Sequence, residues 1–434
     1  MTPPARLRGV LPASASSASG RLNVGGCDAA ELAERFGTPL VVLDRQTVEQ
    51  RAAAFTSVLE PERVFYAGKA FLCVALCELL NELGLGLDVC SEGELTTALR
   101  ARFPADRIVL HGNNKSLEEL RLAADAGVGR VVVDSFDELD RLGTARMRTK
   151  LLVRVTPGVE AHTHDFVRTG QEDSKFGFTL GNEVALQAVN RAHEVPGCEL
   201  VGLHCHIGSQ IFELSAFDLA IQRLAHFARA CLDRADVAIR ELNLGGGLGI
   251  AHTDEETTPD PAAWLKGIAE VVEREFSTLR LDPPTIAVEP GRSLVGPAGI
   301  TLYTIGTIKH IPGLRTYVSV DGGMSDNIRP ALYGARYEAF IANRMDAPAG
   351  QAVAVAGKHC ESGDVLVPSV HLPGDVAVGD LLCIPATGAY THAMAGNYNR
   401  VPRPAVVLVG GGSASEIVRR ESLDDLLRLD RRLS

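Results

Sequence analysis

The sequence predicts an α/β protein, a (β/α)8 TIM-like barrel joined to a second, mostly β domain of sandwich or barrel-like type. Three observations predict it. Between Arg63 and Glu289, short β-rich runs alternate eight times with stretches of helical periodicity, the pattern of a parallel sheet with helical crossovers. The length of 434 residues leaves room for a barrel of about 250 residues and one further domain. After Arg292 the alternation gives way to short apolar runs punctuated by Gly, Pro and Asp, as in all-β domains.

Taken in order, Met1–Gly20 is rich in Ser, Ala and Pro, lacks an apolar h-region and reads as a disordered tail. The barrel is expected over residues 38–295, with 21–37 and 296–434 forming the β-rich domain. The eight β-rich runs are Arg63–Ala67, Gly84–Val89, Arg107–His111, Arg130–Asp134, Lys150–Val155, Glu199–His204, Ile239–Leu244 and Thr285–Glu289. Helical spacing fills the intervals, over Phe71–Leu83, Glu92–Arg102, Leu117–Ala126, Phe136–Leu142, Val184–His193, Phe217–Leu232 and Ala262–Phe276. Further strands are expected at Leu302–Lys309, Thr316–Val320, Ala352–Ala356, Val365–Leu366, Leu381–Ile384 and Ala405–Val409, and Ser422–Arg432 reads as a solvated helical tail.

Composition narrows the function. A net charge of −11 with no basic stripe argues against nucleic acid or an anionic membrane as partner. No run of 18 apolar residues occurs, so a soluble, cytoplasmic protein is expected. The nine cysteines are scattered singly, which argues against a disulfide framework. Cys73 and Cys77 read as packing residues on one helix face, since no second pair sits at metal-ligand spacing.

In a barrel, chemistry gathers at the C-terminal ends of the strands. Here those ends carry Lys69, Asp88 with Cys90, His111-Gly-Asn-Asn-Lys115, Asp134-Ser135, Arg154, His204-Cys-His206, Gly245-Gly-Gly247 and Glu289-Pro-Gly-Arg292. Lys69, closing Val64-Phe-Tyr-Ala-Gly-Lys-Ala70, presents an amine able to form a Schiff base. The run Asn243-Leu-Gly-Gly-Gly-Leu-Gly249 lacks a P-loop GKS or GKT, but backbone N–H groups without Cβ atoms suit a phosphate after the seventh and eighth strands. His204 and His206 could be read as metal ligands, but no third and fourth ligand accompany them. The alternative places His206 flat against an aromatic cofactor and His204 in the barrel core. Glu289 would need a cation if buried, and a protonated pyridine nitrogen is one. Lysine, glycines, histidine and carboxylate together describe pyridoxal 5'-phosphate.

The chain from about Gly37 to Asn399 also resembles a known family, the barrel-fold (fold type III) pyridoxal phosphate-dependent decarboxylases. The resemblance is carried by Tyr66-Ala-Gly-Lys69, His206-Ile-Gly-Ser209, Gly245-Gly-Gly247, Glu289-Pro-Gly-Arg292, Asp321-Gly-Gly-Met324, Ile328-Arg-Pro-Ala-Leu-Tyr333, Cys360-Glu-Ser-Gly-Asp364 and Gly388-Ala-Tyr390, in that order. It implies that Lys69 holds the cofactor, His206 stacks on its ring and Glu289 meets the ring nitrogen. Ser209, Gly247, Gly291 and Tyr390 would serve the phosphate, with Asp88, Gly246 and Arg292 also in the cofactor site. It further implies that Cys360 is a catalytic acid reaching in from a second subunit, so that the active site needs a homodimer.

For the substrate, Arg292 and Arg329 offer forked cationic donors, Tyr333 and Tyr390 hydroxyls, and Glu361 an acceptor. Together they complement a distal carboxylate and ammonium. Within the family this favours meso-diaminopimelate over ornithine, lysine, arginine or carboxynorspermidine. A racemase would call for a tyrosine base and no Cys360 loop, and a homologue without turnover should have lost Lys69 or Cys360. After Tyr390, Thr391-His392-Ala-Met394-Ala-Gly396 departs from the family pattern, which is expected to have a serine at Gly396. His392 is expected near the phosphate end.

Overall fold

The computed structural model describes residues 7–159 and 174–433, and these form two compact units. One comprises Arg51–Gly249 and Pro259–Gly291, the other residues up to Gln50, Ile250–Thr258 and the chain from Arg292 onward.

The first unit is the barrel. Its strands, Phe65–Ala67, Gly86–Val89, Ile108–Leu110, Arg130–Val133, Lys150–Thr156, Glu199–His204, Glu241–Asn243 and Thr285–Ala287, pair in parallel in chain order. The register runs Phe65↔Gly86, Leu87↔Ile108, Val109↔Arg130, Val131↔Leu151, Val153↔Leu203, Leu203↔Leu242 and Leu242↔Ile286. A parallel bridge between Val64 and Val288 joins the last strand to the first. All eight β-rich runs therefore form barrel strands. They read as nearly unbroken apolar segments because both faces are covered.

Phe65, Val109, Val132, Leu152, Val201 and Ala287 fill the interior as one buried cluster. Near the strand starts, Glu241 takes Arg130 Nε at 2.9 Å and Arg63 Nη1 at 2.5 Å. The helices Val74–Glu82, Glu92–Arg100, Leu117–Ala126, Phe136–Ala145, Val184–His193, Ser215–Ala235 and Pro261–Thr278 follow strands, as expected. Ser91, Ser116 and Ser135 cap three of them through the N3 backbone N–H.

The second unit is built on a mixed sheet. Its path runs Val365–Pro373, Ala349–Ala356, Arg315–Val320, Gly299–Ile311, Leu40–Asp44, Ala405–Gly410 and Ser413–Val418, with Leu381–Pro385 also paired to Gly299–Ile311. The 13-residue strand Gly299–Ile311 serves two cores, giving Ile300 and Leu302 to one and Tyr303 and Ile305 to the other.

Two expectations differ from what is observed. Leu40–Asp44 lies in this sheet, parallel to Ala405–Gly410, and Ile250–Thr258 also belongs to this unit, so the residues assigned to the barrel are not one continuous block. The expected N-terminal tail is structured from residue 7: Ser16–Ala18 pairs with Arg21–Val24, and Leu7, Val10 and Leu11 are buried in the core. Burying those three apolar side chains outweighs a Ser/Ala/Pro-rich composition. Met1–Arg6 lie outside the described residues. The C-terminal tail is helical over Leu423–Leu427, with Leu423 and Leu427 exposed. All nine cysteines are free.

Candidate active site

In the barrel unit the strand ends converge on Glu289. This buried carboxylate accepts from His111 Nε2 at 2.8 Å and Asn243 Nδ2 at 2.7 Å on one oxygen, and from His204 Nε2 at 3.1 Å on the other. Burial alone would push its pKa up, but His111 and His204 more than offset that and hold it well below the ordinary value. The His204 imidazole, fully enclosed, is pushed down to about 4 and is neutral. Hydrogen bonding thus accounts for the one cluster among the described residues, His111, His204 and Glu289, whose ligand-type atoms lie within 4.8 Å of one another.

Asp88 is buried beside this group, with its Oδ1 3.8 Å from His111 Nε2. Burial pushes it up to about 6, and Glu289 adds to the shift while His111 and Lys69 oppose it. Lys69 itself stands exposed in a single 3-10 turn, Gly68–Ala70, directly after the first strand. Desolvation pushes the His206 imidazole well down, with the cations Lys69 and Arg154 acting in the same direction. Arg154 lies 3.6 Å from Asp134 at the barrel's fifth strand.

The glycine run is fixed by close backbone approach. A Cβ on Gly246 would stand 2.4 Å from the Glu289 carbonyl oxygen, and one on Gly247, whose φ is +119°, would stand 2.8 Å from that of Gly208. The Gly246 N–H donates to His206 Nδ1 at 3.2 Å, which leaves Nε2 as the protonated nitrogen of the neutral ring. Ile211 N–H donates to the Gly247 carbonyl at 2.9 Å, and the Ile211 carbonyl accepts from Gly249 N–H at 2.9 Å. The loop holding half-buried Ser209 is thereby tied to the glycine loop. Gly291 packs against Ala67 and Ala70, the residues flanking the Lys69 turn.

The second unit carries a separate cationic cluster. Arg292 is buried at the start of the helix Arg292–Val295, its guanidinium 4.6 Å from the ring centroid of Tyr390. Burial lowers its pKa to about 10, and neighbouring Arg329 lowers it further. Arg329, also buried, donates from Nη1 to His252 Nε2 at 3.1 Å and to Tyr337 Oη at 2.5 Å. Tyr333, half-buried, ends the short helix that Arg329 begins.

Cys360 and Glu361 are both exposed. Their loop is anchored by Asp364, which accepts from Met324 N–H at 2.7 Å and His359 N–H at 2.9 Å, and by Asn399, whose Oδ1 takes Cys360 N–H at 3.1 Å. His392 is turned to the Pro404 carbonyl at 3.3 Å, and the Gly396 N–H donates to the Ser325 carbonyl at 2.9 Å.

A family profile described as "Pyridoxal-dependent decarboxylase, pyridoxal binding domain" matches residues 45–296. Over 419 residues, 95% of either chain, the sequence is 49% identical to the diaminopimelate decarboxylase of Bacillus subtilis (strain 168). The chain belongs to the diaminopimelate decarboxylases. A crystal structure of the M. jannaschii diaminopimelate decarboxylase in co-complex with L-lysine superposes with a TM-score of 0.90 at 33% identity, covering 97% of this chain and 98% of that one. The Helicobacter pylori diaminopimelate decarboxylase complexed with L-lysine gives 0.83 at 30% identity, covering 92% and 98%.

The cofactor of this pyridoxal-dependent family is pyridoxal 5'-phosphate, and the barrel's residues fit it. Glu289 is an ionised, buried carboxylate suited to a protonated ring nitrogen. Lys69 is an accessible amine, and the backbone bonds of Ile211 tie the Ser209 loop to the Gly245–Gly247 loop at the strand ends, where a phosphate is held in such barrels.

Five residues of this diaminopimelate decarboxylase, in its two clusters, carry no catalytic or binding role in the sequence reading. His111 and Asn243 sit at strand ends, so position alone marked them, but their shared partner Glu289 lies 178 and 46 residues away. His204, expected as core packing, is also a ligand of that carboxylate. His252 and Tyr337 lie in irregular segments with no periodic signal.

Proposed function

We propose that the chain catalyses the decarboxylation of meso-2,6-diaminopimelate to L-lysine and CO2, the last step of lysine biosynthesis. Beyond family membership, the observation that carries the choice of substrate is the pair of buried guanidiniums, Arg292 and Arg329, beside a neutral His252. Two desolvated cations suit a substrate that brings a second carboxylate. Ornithine or lysine, lacking one, would leave the buried Arg329 Nε without a partner.

When bound, the cofactor supplies the electron sink for the charge left as CO2 departs. Lys69 holds the cofactor, and His206 packs against its ring. Glu289, held ionised by His111, His204 and Asn243, opposes the ring nitrogen. Ser209, Gly246, Gly247, Gly291 and Tyr390 receive the phosphate. Arg292, Arg329, Tyr333, Tyr390 and Glu361 orient the end of the substrate that does not react. Cys360 delivers the proton that replaces the lost carboxylate.

Cys360 and Glu361 are exposed on an anchored loop of the β-rich unit, which suits residues that complete the site of a second subunit. We read the enzyme as a cytoplasmic homodimer with shared sites. Among the described residues no helix is long and apolar enough to cross a membrane. The test is CO2 release from meso-diaminopimelate beside lysine, ornithine and arginine. Release from diaminopimelate alone is expected, and comparable release from ornithine or arginine would overturn the assignment.

A further inference from the structure

Arg329 is held from behind. Nη1 has two hydrogens, and both are spent within the β-rich unit, on His252 Nε2 and on Tyr337 Oη. Because a guanidinium only donates, Nε2 of His252 must be the acceptor, so the ring proton sits on Nδ1. A hydrogen bond between this ring and the Ile250 carbonyl holds that tautomer. Burial, and then the charges of Arg329 and Arg292, push the His252 pKa well below its ordinary value, which keeps the acceptor lone pair available.

The two partners are themselves fixed. His252 N–H donates to Glu256 Oε2 at 2.7 Å, the His252 carbonyl accepts from Glu338 N–H at 3.1 Å, and the His252 and Tyr337 rings meet edge to face, 5.1 Å apart at 90°. Arg329 Nε is buried and has no hydrogen-bond partner among the described residues, nor does a described carboxylate pair with this guanidinium. The edge formed by Nε and Nη2 is the one that grips a carboxylate with two parallel bonds.

We infer that His252 and Tyr337 are positioning residues for substrate specificity: they occupy Nη1 of Arg329 and thereby aim its Nε–Nη2 edge at the carboxylate that the reaction leaves untouched. The inference rests on the diaminopimelate reading. Neither residue touches the reacting carbon, and neither has a role in the proposed mechanism above.

The reaction supplies its own probes. L-Lysine, the product, keeps the untouched amino-acid end, and 1,5-diaminopentane is the same molecule without that carboxylate. Inhibition constants for both, with kcat and KM for meso-diaminopimelate, are measured on the cofactor-loaded wild type, His252→Leu, His252→Gln and Tyr337→Phe. In His252→Leu, L-lysine should bind roughly tenfold more weakly and KM should rise similarly, while kcat and diaminopentane binding stay within about twofold to threefold. His252→Gln, which restores an acceptor, should recover part of the loss.

Equal weakening of both probes, or no change in either, would overturn the inference. Should the leucine variant not fold, Tyr337→Phe, which removes only a hydroxyl, gives the same comparison. The wild-type arm keeps the two readings apart: CO2 release from diaminopimelate and tighter binding of L-lysine than of diaminopentane test the substrate, and only the variant ratios test the positioning.

Discussion

Replacing Asp88 by Asn removes a carboxylate that burial has pushed up to about 6 from the ordinary 3.8. The cause is visible in the geometry, since His111 is drawn to Glu289 at 2.8 Å and stands 3.8 Å from Asp88, so one imidazole serves two carboxylates unequally. At about 1.36 kcal/mol per pH unit, the difference amounts to about 3 kcal/mol between the protonated and ionised forms. The sign follows from which state holds the proton more tightly. The folded protein does, so this contribution is fully present below about pH 3.8, is lost as pH rises through about 6 and is level above that.

Between about pH 4.5 and pH 8 the wild type should lose about 2 kcal/mol that Asp88→Asn does not lose, worth about 2–4 °C in melting temperature for a chain of this length. The assay is the thermal midpoint of the cofactor-free protein at both pH values, for wild type and variant. Relative to wild type, the variant should gain stability on going to pH 8. An unchanged gap between the two proteins at both pH values would refute the account of Asp88 as an undercompensated buried acid.

The remaining predictions concern the chemistry. Cofactor-loaded protein should absorb in the visible, and borohydride should bleach that band and leave the label on Lys69; a label on Lys115, which is buried against Glu138 at 2.7 Å, would sink the assignment. If sites are shared between subunits, mixing inactive Lys69→Ala with inactive Cys360→Ala should restore up to about one quarter of wild-type activity, since half of the random dimers carry one intact site of two. No recovery despite proven subunit exchange would place each site within one chain. Arg329→Ala should cost about 2–4 kcal/mol in kcat/KM for diaminopimelate and far less for any trace turnover of lysine as substrate. Equal losses on both would make Arg329 structural.

What could be read in advance followed the physics of periodicity. The eight barrel strands were legible because a strand covered on both faces is a short apolar run bounded by turn residues, and its end marks the catalytic rim. Leu40–Asp44 is just such a run, yet its partners Gly299–Ile311 and Ala405–Gly410 lie far along the chain, and nothing local says which sheet it joins. The N-terminal segment escapes sequence reasoning for a related reason: Leu7, Val10 and Leu11 are buried by a core whose other members come from distant segments. At the site, Lys69 and Glu289 could be located from position. The ring of donors around Glu289, and the acceptors behind Arg329, exist only once the fold has brought remote residues together.

The two clusters are opposite in their electrostatic demand. In the barrel unit, Glu289 faces His204, which is neutral at physiological pH, and accepts a further hydrogen bond from the uncharged Asn243 amide. Such a site is a carboxylate held ionised at the expense of burial, and a cationic ring nitrogen relieves that cost. In the β-rich unit, Arg292 is lowered to about 10 by burial and by Arg329, while His252 is kept neutral and so adds no third charge. That cluster is relieved by an anion. A substrate with an amino-acid group at either end carries the chemical groups that both demands call for. A diamine or a singly carboxylated amino acid answers only the first, and the desolvated arginines then count against it rather than being indifferent to it. Selectivity in this design comes from what an incorrect substrate leaves unpaired. It follows that residues which never touch the substrate, by deciding where the unpaired edge of Arg329 points, belong to the specificity of the enzyme as much as the arginine does.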